Sequence, residues 1–444
     1  MAIRDVDPAT LPRYWSAPGE PPRVCVWEIT LACDQACRHC GSRAGAARDG
    51  ELTTQQALAT VAELAALGIR ELILIGGEAY LRDDWPDIAA AAVAAGMACS
   101  MVTGGHGLDA FHLEQARAAG VSLIGVSIDG IGATHDRLRG RVGSFERATA
   151  AARRIAASGS IGLSINSQVN RLSLPELPRL AALVADLGAT GWQLQLTVAL
   201  GRAADRPDLL LQPYHLLSLM PLLLRLKEEV LEPAGVTLFP GNNIGYFGPF
   251  EQALRFGADR GHSWSGCMAG RAAIGLEADG TVKGCPSLPT EAYRCGSVKE
   301  QPLAEIWQNS DAMHALGRRS RADLWGFCGT CEHGDRCLAG CTWTAHALFG
   351  RPGNNPYCHH RALSLAAAGR RERVELVAAA PGRPFDHGRY RLIEEPIGAA
   401  ADATELALML GQLFGDTGSR WSRDGLERAT AKRAPMATGV EVVP

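Results

Sequence analysis

The chain has 444 residues, which predicts roughly two or three domains. Its 47% hydrophobic and 20% charged residues are those of a soluble globular protein, and a formal charge of -3 lacks the basic footprint of a nucleic-acid binder. No uninterrupted apolar run approaches a bilayer span and the first residues lack the apolar core of a signal peptide, so a cytoplasmic protein without membrane attachment is expected.

From residue 24 to about 235, strand and helix signals alternate. Strands are predicted at 24–29, 71–75, 99–102, 123–128, 162–169 and 192–198. Ala/Leu-rich helices are predicted at 54–67, 85–95, 109–119, 144–157, 175–187 and 213–230. This alternation argues for βαβ units and a parallel sheet with ligands at the strands' C-terminal ends, and the units are too few for a closed eightfold barrel. On the last strand Gln193, Gln195 and Thr197 share one face, opposite Trp192, Leu194 and Leu196. A polar stripe is unexpected in a sheet buried on both faces, so it is expected to line an inner cavity. Residues 241–249 read as irregular loop. The region from Cys267 to Cys358 is short, loop-rich and expected to depend on metal for its fold. After about Leu365 the motifs stop; 403–414 is an amphipathic helix candidate and 415–444 a polar, mobile tail.

Thirteen cysteines without an export signal argue for metal binding rather than disulfides, because the cytosol keeps thiols reduced. Cys25 and Cys99 lie inside apolar strands and are expected to be buried hydrophobes. Cys33, Cys37 and Cys40 follow the first strand as C-x3-C-x2-C. Thiolates so spaced converge on one metal centre, and three of them hold a [4Fe-4S] cluster while leaving one iron open. A zinc site completed by His39 is the alternative, strained because His39 adjoins Cys40. Gly76-Gly77-Glu78 follows the second strand, and Thr103-Gly104-Gly105 follows the third and reads as a loop. Ser127-Ile128-Asp129-Gly130 and His135-Asp136-Arg137-Leu138-Arg139 follow the fourth, with Asp129 expected to cap the next turn.

This set resembles the radical S-adenosylmethionine (SAM) enzymes, with Ala79 where the family usually has proline after Gly-Gly-Glu. The resemblance implies a partial (β/α)6 barrel over 23–240, after an N-terminal extension at 1–22. It also implies a cluster on Cys33, Cys37 and Cys40 whose open iron binds SAM for reductive cleavage to a 5'-deoxyadenosyl radical. Gly76, Gly77 and Glu78 inherit contact to the SAM amino group, Ser127 to the ribose, and Arg139 to the carboxylate side. Leu194 is a weaker candidate for backbone contact to adenosine.

The later cysteines are spaced Cys267-x12-Gly280-x4-Cys285, then Cys328-x2-Cys331-x5-Cys337-x3-Cys341, then Cys358. A zinc ribbon also uses C-x2-C pairs. The full spacing resembles the SPASM domain, placed at 267–365 after a bridging region at 241–266, with 366–444 as a partly mobile tail. That resemblance implies two auxiliary [4Fe-4S] clusters, one on Cys267, Cys285 and Cys341 and one on Cys328, Cys331, Cys337 and Cys358. The first set is a ligand short; Cys295 completes it, or the site stays open, the reading preferred here. His359 and His360 are expected to be exposed surface histidines or to support the second set rather than ligate, and Trp325 and Trp343 to pack around the clusters.

The implied function is oxidative modification of a ribosomally made precursor peptide by crosslinking, dehydrogenation or epimerisation, with an external electron donor such as flavodoxin or ferredoxin. Residues 241–249, 342–346 and 351–359 are similar to a branch paired with short peptides carrying Gly-Asp-Leu. Pro286 stands where sulfatase maturases of this family carry an aspartate base, which disfavours that activity and leaves no general base identified. The competing readings are oxidation of a small molecule or tetrapyrrole side chain, and a non-enzymatic electron-transfer or zinc-scaffold protein.

Overall fold

The computed structural model of the protein describes residues 21–255, 264 and 266–398. The extension up to residue 20 and the expected helix and tail beyond 398 lie outside the described residues.

Seven parallel strands run in chain order: β1 (Val24–Glu28), β2 (Glu71–Ile75), β3 (Ala98–Thr103), β4 (Leu123–Ser127), β5 (Gly162–Val169), β6 (Gly191–Leu196) and β7 (Thr237–Pro240). The connecting helices are α1 (Thr54–Leu67), α2 (Trp85–Ala94), α3 (Ala110–Ala118), α4 (Ala133–Arg139), α5 (Ser144–Ser158), α6 (Leu177–Asp186) and α7 (Leu216–Leu226). The α/β class and the predicted strands stand; β7 and α4 are additional.

Local chemistry explains the sharp boundaries. Thr53 accepts from Gln56 N while the Gln56 side chain returns to the Thr53 backbone, and Gly68 ends α1 at φ 94°. Ala57, Thr60, Val61 and Leu64 then fall on one buried stripe. Strand residues pointing the other way from the cavity, among them Trp27, Leu72, Leu74, Met101, Ile124 and Trp192, meet these helices as one apolar core. Each such side chain contributes about 1.5–3 kcal/mol by leaving water.

The sheet does not stop at the barrel. Strand β8 (Ala273–Leu276), from the cysteine-rich region, pairs in parallel with β1, and β9 (Thr281–Lys283) and β10 (Arg294–Ser297) extend it antiparallel. The cysteine-rich region is therefore continuous with the edge of the barrel sheet.

Residues expected in a mobile tail instead form a hairpin of β11 (Arg370–Ala378) and β12 (Arg389–Pro396). Its rungs are charged, with Arg371 and Arg373 paired to Glu395 and Arg370 to Glu394. Gln212 anchors it through both the Val374 N–H (2.7 Å) and C=O (3.3 Å). One helical stretch among the described residues, Pro207–Ala234, is long and apolar enough to cross a membrane by length and composition, although it is not an uninterrupted apolar run. Of its most apolar window 78% is buried within the fold, as in a core helix.

Candidate active site

The cysteine triplet sits on the loop leaving β1, braced by the turn after β2. Gly77 N donates to Thr30 O and Glu78 N to Ala32 O, both at 2.8 Å. A Cβ on Gly76 would strike the Thr30 carbonyl and one on Gly77 the Ala32 carbonyl. These glycines are required by the neighbouring protein backbone itself, beyond any approach to a ligand. Gly77→Ala is expected to displace the loop and remove about one cluster's worth of iron, roughly four atoms per chain, which an iron assay on reconstituted protein checks.

Glu78 turns back to β3, accepting from Gly104 N at 2.7 Å and from the Thr103 hydroxyl. Gly104-Gly105 is a loop, as read, and Thr103 with Gly104 in addition holds the Glu78 carboxylate. Burial pushes the Glu78 pKa up to about 7, against the lowering effect of Thr103. Asp34, inside the triplet, brings a second carboxylate beside Glu78 and Cys33. Its Oδ2 accepts from Tyr80 at 2.8 Å while its Oδ1 is buried without a partner. Two crowded carboxylates, one with an orphaned oxygen, suit an ammonium group.

Asp129 does not cap a turn. Its Oδ2 lies 2.7 Å from Arg139 Nη2 and 2.9 Å from His39 Nε2, and its Oδ1 accepts from Gln168 N at 2.8 Å. Burial works against this charge, but Arg139 and then His39 outweigh it and hold the carboxyl well below its usual range. His39 Nε2 is thereby engaged by Asp129, while its Nδ1 is buried without a hydrogen-bond partner. Arg139 also places Nη1 3.7 Å from Cys37 Sγ. The capping role belongs to Asp136, which accepts from Gly143 N (2.7 Å) and Phe145 N (2.8 Å) at the start of α5. His135 accepts from Asp129 N at Nδ1 (3.1 Å), leaving Nε2 to meet Ser144 Oγ at 3.3 Å, and Gln35 Nε2 donates to the same hydroxyl at 2.9 Å. Burial and Arg139 lower the His135 pKa to about 3, so the ring is neutral.

Around the cavity Ser127 ends β4 half-buried, with Asn166 opposite it on β5. Asn166 and Gln168 on β5 and Gln193 and Gln195 on β6 are half-buried and alternate with buried neighbours, extending the predicted polar stripe over two strands. Thr197 instead is buried against Asn170. Leu194 is buried and its carbonyl accepts from Gly241 N at 2.6 Å, which takes up that backbone group in the fold.

The thiols are free and fall into separate groups. Cys33 feels Cys37 and Cys40; Cys341 feels Cys267 and Cys285; Cys358 feels Cys328 and Cys331. Burial pushes Cys33, Cys341 and Cys358 up to about 12, so iron loading must displace protons. Cys328, Cys331, Cys337 and Cys358 line a small void, with Tyr246, Phe247, His333 and His360 on its wall. Cys295 turns to the Tyr293 carbonyl (3.4 Å) and packs on the barrel core, and Gly284, next to Cys285, also meets its thiol. Trp343 packs on the apolar group around Cys267 and Cys285, and the indole N–H groups of Trp343 and Trp264 are buried without an acceptor. A void lined by four thiols and orphaned donors beside thiol groups fit iron–sulfur clusters, whose sulfides accept hydrogen bonds.

Beside Cys285, Lys283 is fully buried, 2.6 Å from Glu277 Oε1 and donating to Leu288 O at 2.6 Å. Arg48 bridges Glu28 (3.0 Å) and Glu277 (3.1 Å). Burial raises the Glu28 pKa to about 8. None of these groups belongs to a local motif; only the fold brings residues 28, 48, 277 and 283 together.

The Radical SAM superfamily model matches residues 27–169, and the SPASM iron-sulfur cluster-binding domain model matches 267–332. The AdoMet-dependent heme synthase of Methanosarcina barkeri is 33% identical over 77% of this chain and 97% of its own length. Mycofactocin maturase MftC of Mycobacterium tuberculosis is 29% identical over 84% of this chain and 90% of its own. The crystal structure of Streptococcus suis SuiB bound to S-adenosylmethionine shares the fold at TM-score 0.59 and 13% identity, covering 76% of each chain.

Proposed function

The chain belongs to the radical SAM superfamily and carries a SPASM iron-sulfur domain, and from that premise we propose that it is an oxidoreductase modifying a ribosomally made precursor peptide. That it is a radical SAM enzyme follows from the family; the peptide is our reading. In this reading Cys33, Cys37 and Cys40 hold the SAM-binding cluster, Cys328, Cys331, Cys337 and Cys358 a second, and Cys267, Cys285 and Cys341 a third whose fourth position is not Cys295. The bound groups supply hydrogen-atom abstraction from a C–H bond and an acceptor for the remaining electron. The chain's own residues bind and orient. Asp34 and Glu78 face the SAM amino group, Arg139 the carboxylate side, Gly76 and Gly77 shape the loop, and Ser127 faces the ribose. An external one-electron donor such as flavodoxin or ferredoxin and a cytoplasmic location complete the reading.

One observation carries the choice of substrate. The cavity wall offers side-chain amides, Asn166, Gln168, Gln193 and Gln195, which match the donors and acceptors of a peptide backbone. Three described cations are already paired, Arg48 with Glu28 and Glu277, Lys283 with Glu277 and Arg139 with Asp129, whereas Arg202 Nε is buried without a partner. A tetrapyrrole bearing several carboxylates calls for cations free to receive them. The likeness to the heme synthase favours that second reading, oxidation of a tetrapyrrole side chain.

Mass spectrometry separates the two. A short peptide encoded beside the gene, incubated with reconstituted enzyme, SAM and dithionite, is expected to lose two hydrogen atoms, or to take up solvent deuterium if epimerised. An unchanged peptide together with an altered carboxylate-bearing tetrapyrrole would establish the second reading instead.

A further inference from the structure

Among the described residues five non-glycine positions have left-handed φ: Arg43, Phe247, Leu338, Ala339 and Phe385. Such geometry persists where the surroundings over-determine it, and it gathers at functional sites. Phe247 lines the four-cysteine void, and Leu338 and Ala339 lie between Cys337 and Cys341. The remaining two lie on loops that meet. Arg43 lies three residues past Cys40, and Phe385 lies on the loop joining β11 to β12, the hairpin that carries no sequence motif.

That loop is fastened to the triplet loop. Phe385 N donates to Gly41 O at 3.0 Å and Gly201 N to Asp386 O at 2.7 Å. Arg43 Nε donates to Asp386 Oδ1 (2.9 Å) and to Arg383 O (3.0 Å), and its Nη1 to Asp205 Oδ2 at 2.6 Å. The Phe385 ring, 8% exposed, packs with Val198, Leu200, Ala347 and half-buried Trp343. Lys283 Nζ stands 3.9 Å from its centroid. Val198 and Leu200 follow β6, while Lys283 ends β9, two residues before Cys285, so the ring joins the two sides of the open barrel. Trp343 in turn packs on the groups holding Cys267 and Cys285 and holding Cys341.

We propose that Phe385, latched by Arg43 and Asp386, walls the space between the Cys33/Cys37/Cys40 and Cys267/Cys285/Cys341 sites, excluding solvent and positioning the substrate's reacting C–H bond. Phe385 acts as a positioning residue. This rests on the radical SAM reading above. A wall that keeps water out protects such a radical from side reactions. The predicted consequence is that solvent-borne ligands reach the open iron positions slowly in the wild type.

Cyanide is the probe. Wild type, Phe385→Ala, Phe385→Leu and Arg43→Lys are reconstituted, their iron counted, and cyanide binding followed by the change in the reduced clusters' EPR signals. Phe385→Ala is expected to hold full iron and the SAM-induced EPR change while binding cyanide several-fold faster, with Phe385→Leu restoring most of the protection and Arg43→Lys falling between. Once a substrate is in hand, product formed per 5'-deoxyadenosine is expected to fall in Phe385→Ala, with SAM affinity unchanged. Unchanged cyanide access at full iron overturns the proposal. So does failure of all three variants to load iron, which marks the loop as structural support. A wild type lacking any SAM-induced EPR change strikes the radical SAM reading itself, a different failure.

Discussion

Replacing Cys33, Cys37 and Cys40 together with alanine is expected to abolish 5'-deoxyadenosine formation while leaving about eight of about twelve iron atoms per chain. The selectivity follows from the geometry. Cys33 and Cys37 interact with each other's group, with Glu78 and with Arg139, whereas Cys341 interacts with Cys267 and Cys285. The triplet's loop leaves β1, and the other thiols lie on the chain after Cys267, reached through β8 on the far side of β1. One buried and two half-buried thiols become three methyl groups, a change that the loop tolerates because its backbone is held by Gly77 and Glu78 rather than by sulfur. Iron counting, EPR and chromatography of the dithionite-reduced protein with SAM check it. Deoxyadenosine from the triple variant would falsify the assignment of the SAM site, and loss of all iron would show that the clusters assemble as one unit.

How much of this is legible in the sequence varies with how local the cause is. Helix α1 can be read to the residue because Thr53, Gln56 and Gly68 spell both of its ends. The thiol groups are legible because metal ligands at two- and three-residue spacings constrain short loops. The β11–β12 hairpin is not. Its strands run Arg-Arg-Glu-Arg and Arg-Leu-Ile-Glu-Glu, which reads as a solvated polar tail until the rungs pair Arg with Glu across the strands. Strand β7 is four residues ending in proline, short of any periodic signal. Asp34, Arg43 and Phe385 carry no pattern of their own; their partners lie 46, 343 and 344 residues away, at Tyr80, Asp386 and Gly41.

Asp129 shows the same limit from the other side. Its position in Ser-Ile-Asp-Gly draws attention to a turn, yet His39, Arg139 and Gln168 are its partners, from three different parts of the chain. Through them β4, β5, the triplet loop and α4 converge on one carboxylate. The open barrel therefore holds its cluster loop partly by charge rather than by packing alone.

Asp129→Asn is accordingly expected to destabilise the protein by about 3–5 kcal/mol, the range for removing one partner from a buried ion pair. Arg139 is 8% exposed, so without Asp129 its charge keeps little water and only the Glu78 carboxylate and the Cys37 sulfur to stabilise it. Its nearest remaining acceptor is Cys37 Sγ at 3.7 Å, and a shift towards that sulfur draws the guanidinium off the position from which it would meet the SAM carboxylate. SAM-induced changes in the EPR of the reduced cluster are thus expected to need at least about tenfold more SAM, which corresponds to about 1.4 kcal/mol of binding. Asp136→Ala supplies the contrast, because Asp136 caps the start of α5 through the Gly143 and Phe145 amides and a lost cap costs about 1 kcal/mol. Anaerobic urea unfolding of both variants and SAM titration followed by EPR make the comparison. Equal, small losses in the two would mean that Asp129 is a turn cap after all; a large loss confined to Asp129→Asn assigns it to holding Arg139 and His39 beside the cysteine triplet.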